Sequence, residues 1–164
     1  MLKMILIAVR LIERLTGWAV ALLVAIALVV VAGQFIDRHF FDLPWDSPDQ
    51  FARITIIWLC FLGTALALSD GAAIRIDLFD HWLPHRVLVW RDSIFDVLLL
   101  AMLIILVVTG WTVVKVGSSQ FILGTPFTAD VPYSGLLVGS ALGALFILAR
   151  ILRRALDFAQ RKIG

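Results

Sequence analysis

Four long apolar stretches dominate the chain, and its polar residues collect between them. The charge-free runs are Leu15–Ile36, Ile54–Ser69, Val97–Val114 and Val131–Ala149, of 22, 16, 18 and 19 residues. An α-helix rises ~1.5 Å per residue, so ~20 residues cross the ~30 Å hydrocarbon core of a bilayer. The second run falls short by itself, but Ser47-Pro48-Asp49-Gln50 just before it carries a capping-box pattern with proline at the first helical position. A helix from Pro48 to Ser69 has 22 residues, with Arg53 able to reach back to the headgroups. The pattern predicts an all-α integral membrane protein of four transmembrane helices, forming one membrane domain over 1–164. The spans are expected at 15–36, 48–69, 93–114 and 131–149.

The flanking segments are amphipathic. In residues 1–14, Lys3, Arg10, Glu13 and Arg14 share one helical face and the rest is apolar, the pattern of an interfacial helix. Arg10 and Arg14 interrupt the apolar stretch too early for a secretory signal. Within 74–84, Ile76, Leu78, Phe79, Trp82 and Leu83 oppose Asp77, Asp80 and His81, so a second interfacial helix is expected there, ended by Pro84. From His85 a helix is expected to run straight into span three. Residues 150–164 read as a basic amphipathic tail suited to anionic lipid. Trp45 and the pair Phe40 and Phe41 read as an aromatic belt at the outer interface. The loop 115–130 holds Phe121-Ile122-Leu123, unusual for a short exposed loop, and fits either a dip into the interface or contact with a partner.

Small residues recur at four-residue spacing. Gly63, Ala67 and Gly71 lie on one face of span two; Gly17, Ala21 and Ala25 do so on span one. Gly135, Gly139 and Gly143 form a double GxxxG on span four, flanked by Ser140 and Ala144. Such faces let helices approach closely, although Gly and Ala are also common in membrane helices at large. The stripes on spans two and four are therefore candidate packing or partner interfaces, within this chain or with another. Arg53, Trp58, Arg75 and Asp77, near the ends of span two, are candidates for interface or headgroup contacts.

Charge supplies orientation. Of the 14 Lys and Arg residues, eleven fall before span one, between spans two and three, or after span four. The positive-inside rule then puts both termini and the middle loop in the cytoplasm. The net charge of +2 is thus a topology signal and implies no nucleic acid. Cys60 is the single cysteine, which excludes an intrachain disulfide.

No chemistry is visible at depth. None of the four runs holds an ionisable group, the usual sign of an ion pathway. Thr16, Gln34, Thr55, Thr64, Thr109 and Thr112 are expected to be mild helix-to-helix hydrogen bonders. His39, His81 and His85 lie in loops, unlike buried haem ligands. Asp77, His81 and His85 share a spacing that a continuous helix would turn into a metal face, but Pro84 interrupts it. Neither enzyme activity, metal nor cofactor is expected.

Span two and its exit resemble the small membrane subunit of tripartite ATP-independent periplasmic (TRAP) transporters. The resemblance rests on Ala52-Arg53, Trp58, Phe61-Leu62-Gly63-Thr64-Ala65, the stretch Asp70-Gly71-Ala72-Ala73-Ile74-Arg75-Ile76-Asp77, and Leu83-Pro84-His85-Arg86. Gly124-Thr125-Pro126 and Val131-Pro132 extend it across most of the chain. The chain departs from the family pattern at Gln50, often acidic there, and at Ala73, often His. The resemblance implies a small permease subunit that pairs with a large multi-span transport subunit and enlarges its fixed scaffold. It also implies a periplasmic substrate-binding protein and sodium-driven symport of an organic acid. The competing reading is a self-sufficient, homo-oligomeric small transporter or channel.

Overall fold

The computed structural model of the chain describes residues 2–37, 39, 48–69 and 85–161. For residues 2–6, 48, 85–90, 92 and 154–161 it describes the backbone path alone. The expected aromatic belt at Phe40, Phe41 and Trp45, and the interfacial helix at 74–84, lie outside the described residues.

The described chain is helical: α1 Leu2–Ile36, α2 Pro48–Ser69, α3 His85–Gly117 and α4 Asp130–Arg161. Each contains a segment long and apolar enough to cross a membrane. Asp49 opens α2 and Asp130 opens α4, while Lys115 closes α3. Each of these charges has the sign that favours its end of the helix dipole. α1 runs without a break past residues 14–15, where the sequence suggests a join between a surface helix and span one. Its first turns therefore continue the axis of the span. The same holds for α3, which begins at His85, and for α4, which continues through the basic tail to Arg161.

The helices form a row in the order α1, α2, α4, α3. α4 packs on α2 along one side and on α3 along the other; α1 packs on α2 and meets α4 briefly. Among the described residues, the backbones of α1 and α3, and of α2 and α3, do not approach each other. The short α1–α4 contact is a cluster of Val9, Ala65, Phe146 and Ala149, with Ile12 and Leu142 against it. A row buries little, and large apolar side chains point outward along its length, such as Trp18, 78% exposed, and Leu28, 71% exposed. In water that surface would be ruinous; in hydrocarbon it is the ordinary lipid-facing condition.

Because lipid tails are as apolar as leucine, apolar burial does not drive these helices together; close packing and interhelical hydrogen bonds do. The tightest packing lies between α2 and α4, which run parallel. A Cβ placed on Gly139 would lie 2.6 Å from Phe61 Cβ and 2.8 Å from the Phe61 carbonyl carbon and oxygen. One on Gly135 would lie 3.3 Å from the Trp58 ring. One on Gly143 would lie 3.4 Å from Leu68 and from Leu103, so this glycine serves both neighbours of α4. Gly63, by contrast, has nothing within 4 Å of such a Cβ, and Ala67 is exposed. The two small-residue stripes are therefore different in kind: one lines a contact inside the chain, the other opens outward.

The threonines behave differently from expectation. Thr16, Thr55 and Thr64 each donate to the carbonyl four residues earlier in their own helix, Ile12, Phe51 and Cys60. Such a back-bond satisfies the hydroxyl locally. Thr109 and Thr112 are exposed on α3. None of these threonines is seen to bridge helices. Trp58 does: its indole Nε1 donates to the Val131 carbonyl at 3.0 Å, joining α2 to the first turn of α4.

Gly139→Ala should destabilise the fold by about 1–3 kcal/mol, the range for forcing a methyl into a filled contact. Gly63→Ala should stay within about 0.5 kcal/mol of the parent, as a substitution into open space does. Thermal unfolding of the two variants in one detergent, followed by tryptophan fluorescence, checks the contrast.

Candidate functional site

The polar residues at one end of the row form a chain of contacts that joins all four helices. It begins on α1, where Glu13 Oε1 lies 2.7 Å from the Ser69 hydroxyl at the end of α2. That hydroxyl also lies 2.8 Å from the Leu66 carbonyl, and its single proton serves one acceptor at a time. One residue back, the Leu68 carbonyl accepts a hydrogen bond from Arg150 Nη2 on α4. Arg150 Nη1 completes the chain with an ion pair to Asp96 Oδ1 on α3, at 3.3 Å.

The physics of helix ends explains this arrangement. The last four carbonyls of α2 have no partner within their own helix, and the helix dipole makes that end negative. A guanidinium answers both needs with its fork of donors. It is also the cation best suited to serve a carbonyl and a carboxylate together. The pair is withdrawn from solvent, with side chains 15% and 7% exposed for Arg150 and Asp96. Apolar neighbours Ala149 and Leu68 are buried beside it. This end carries the N-terminal part of α1 and the C-terminal part of α4, so both described chain ends lie on one side of the layer. Beyond the clasp α1, α3 and α4 each continue for roughly three turns.

The residues anticipated from sequence are distributed as follows. Gly135, Gly139 and Gly143 are buried along α4, facing Trp58, Phe61 and Leu68. Trp58 spends its donor on Val131 inside the chain, where headgroup or partner contact was expected. Arg53 is exposed near the start of α2. Gly63 and Ala67 open outward, and Gly71, Arg75 and Asp77 lie outside the described residues. So does His81; His85 opens α3. Among the described residues, no three His, Cys, Asp or Glu side chains gather into a metal-binding group.

Asp96 and Arg150 are the pair that sequence reading missed. By sequence Arg150 opens the basic tail 150–164 and Asp96 lies on the polar side of the helix leading into span three, with nothing local to pair them. The signal was present in their positions. Asp96 immediately precedes the run Val97–Val114, and Arg150 immediately follows Val131–Ala149. In two adjacent antiparallel spans those boundaries fall at the same depth, and opposite charges there are natural partners. What this arrangement can do chemically is hold: it fixes helix positions and offers no acid–base relay across the layer.

Arg150→Met should lower stability by about 3–5 kcal/mol, because it strands a buried carboxylate. The double variant Asp96→Leu with Arg150→Met should recover much of that loss, since apolar residues often replace a buried pair at little cost. Thermal melts of the single and double variants in detergent measure the difference.

The family model described as "Tripartite ATP-independent periplasmic transporters, DctQ component" matches residues 27–157, most of the chain. No curated protein sequence matches it.

Proposed function

Since the chain belongs to the DctQ family, the small membrane component of TRAP transporters, we propose that it serves as the scaffold subunit of a binding-protein-dependent uptake system. In this reading it pairs with a large multi-span subunit that carries the substrate. A periplasmic binding protein delivers an organic acid, and a sodium gradient drives uptake. The chain sits in the bacterial inner membrane with both termini cytoplasmic, as the distribution of Lys and Arg favours. The family is one of transporter components and not of enzymes.

The observation that carries the reading is the open row. A closed bundle would bury its seams; among the described residues, the outer sides of α1 and α3, and both broad faces, are uncovered by the four helices. Among the described residues, Trp58 with Val131, Glu13 with Ser69, and Arg150 with Asp96 each tie one helix of the row to its neighbour. A body that is internally braced and externally apolar is suited to lie against a larger membrane protein and stay still. We assign the partner face to Gly63 and Ala67 on α2, because an approaching helix would meet open space there. Gly71 continues that spacing in the sequence, and Arg53, Arg75 and Asp77 flank it.

Gly63→Leu should reduce the amount of large subunit that copurifies in a gentle detergent, while the variant itself melts like the parent. Uptake in proteoliposomes should fall in proportion to lost assembly. Solute flux through this chain reconstituted alone would overturn the reading and favour a self-sufficient homo-oligomer.

A further inference from the structure

The loop between α3 and α4 is a small, ordered hairpin with its apolar side chains turned outward. Ile122 N–H donates to the Phe127 carbonyl at 3.1 Å and Ala129 N–H to the Gln120 carbonyl at 2.8 Å, around a bridge between Phe121 and Thr128. The tip is a tight turn closed by Thr125 N–H on the Ile122 carbonyl at 3.1 Å, with Gly124 at φ 80°. That is the arrangement of a type II turn, whose third residue needs the positive φ glycine tolerates. The base is equally fixed. A Cβ on Gly117 would lie 2.8 Å from the Tyr133 ring and 3.0 Å from Asp130 N, so the end of α3 is pressed against the start of α4. Phe127 also meets Phe51 of α2 edge-on, with ring centroids 5.9 Å apart. Yet at the tip Phe121 is 82% and Leu123 91% exposed.

We propose that this hairpin is a wedge that seats Phe121 and Leu123 in the lipid interface at the far end of the row from the clasp. Three independent features choose lipid as the occupant. First, residues 116–129 contain no charged side chain, so nothing in the hairpin resists entry into the headgroup and acyl boundary. A surface evolved to dock a soluble protein would carry a polar or charged rim. Second, the hairpin closes backbone hydrogen bonds on itself at Ile122, Thr125 and Ala129. Each backbone group paired within the hairpin lowers the cost of entering the interface, where unpaired groups are penalised. Third, its depth is set from below. Lys115 Nζ lies 5.5 Å from the Trp111 ring centroid, two residues before α3 ends. Trp and Lys at a span end anchor at the headgroup level, which places the hairpin at that level too. Phe and Leu inserted there act as an anchor additional to the spans, and they oppose vertical movement and tilt of α3 and α4. The inference needs only the membrane spans and does not depend on the choice of transported solute or large subunit.

Site-directed spin labelling tests it. Labels are placed singly by Phe121→Cys and Leu123→Cys in a Cys60→Ala background, with Ile105→Cys on the lipid-facing side of α3 as reference. The full chain, with the membrane subunit that copurifies with it, is reconstituted into phosphatidylethanolamine and phosphatidylglycerol vesicles. Collision rates with dioxygen and with a water-soluble nickel chelate are then read by power saturation. Both tip labels should favour dioxygen several-fold over the chelate, in the same sense as Ile105. Preference for the chelate would place the tip in water and overturn the proposal. Protection from both reagents would mean that a protein covers the tip, and would overturn it equally.

Discussion

The approach of Gly139 to the backbone of Phe61 sets the separation of α2 and α4, and the row is built outward from that separation. In a bilayer there is no water to squeeze from between helices, so a contact must be close to be worth making. Glycine at this point removes the side chain that would otherwise hold the axes apart. Once the axes are near, Trp58 is within reach of the Val131 carbonyl, and Leu68 and Leu103 close on Gly143. A wider seam would leave those contacts unmade and Arg150 short of the Leu68 carbonyl that it now serves. Packing at mid-membrane and polar bonding at the end of α2 are thus one geometric condition met twice.

The clasp has a cost that its position keeps small. Taking a guanidinium and a carboxylate out of water is expensive, and their attraction seldom repays it in full. Arg150 and Asp96 lie where α4 and α3 leave their apolar runs, so desolvation is partial, and the carbonyl of Leu68 adds a third partner. A pair at the bilayer centre would be far dearer and would invite ions. At the end of the spans it fixes register between α3, α4 and α2 without opening a polar path. Glu13 and Ser69 extend the same principle to α1 through a single hydrogen bond. That difference in strength agrees with α1 being the helix least enclosed by its neighbours.

The spans were legible in the sequence because lipid imposes a length and a composition that few other environments do. The described residues hold four helices long and apolar enough to cross a membrane, the number of spans the apolar runs predict. The double GxxxG was legible as a packing surface, but its partner was not, since glycine spacing says only that something comes close. The stripe at Gly63 and Ala67 has the same spacing and no internal partner at all. The threonines misled because a hydroxyl in a helix can bond its own carbonyl as readily as a neighbour's. Asp96 with Arg150, and Glu13 with Ser69, are separated by 54 and 56 residues. Asp96 and Arg150 meet because consecutive spans pack antiparallel, and Glu13 meets Ser69 at the matching end of α1 and α2, so each pair is read from two spans together and from neither alone.

A row of helices has two broad faces, whereas a closed bundle has an inside. That difference bears on what the subunit can be asked to do. Movement of solute needs a cavity whose walls can part, and walls that part cannot also be cross-linked. Here the four helices are tied in sequence by Glu13, Ser69, Arg150 and Asp96 at one end, and α2, α4 and α3 are tied again by Trp58 and the close base of the hairpin toward the other. Sliding one helix against its neighbour would have to break a part-buried polar contact, the ion pair between α3 and α4 being the costliest to lose. The face at Gly63 lies on α2, which packs on α1 along one side and on α4 along the other. Neighbouring helices joined in this way favour a body that keeps its shape, and the proposed scaffold role rests on that property.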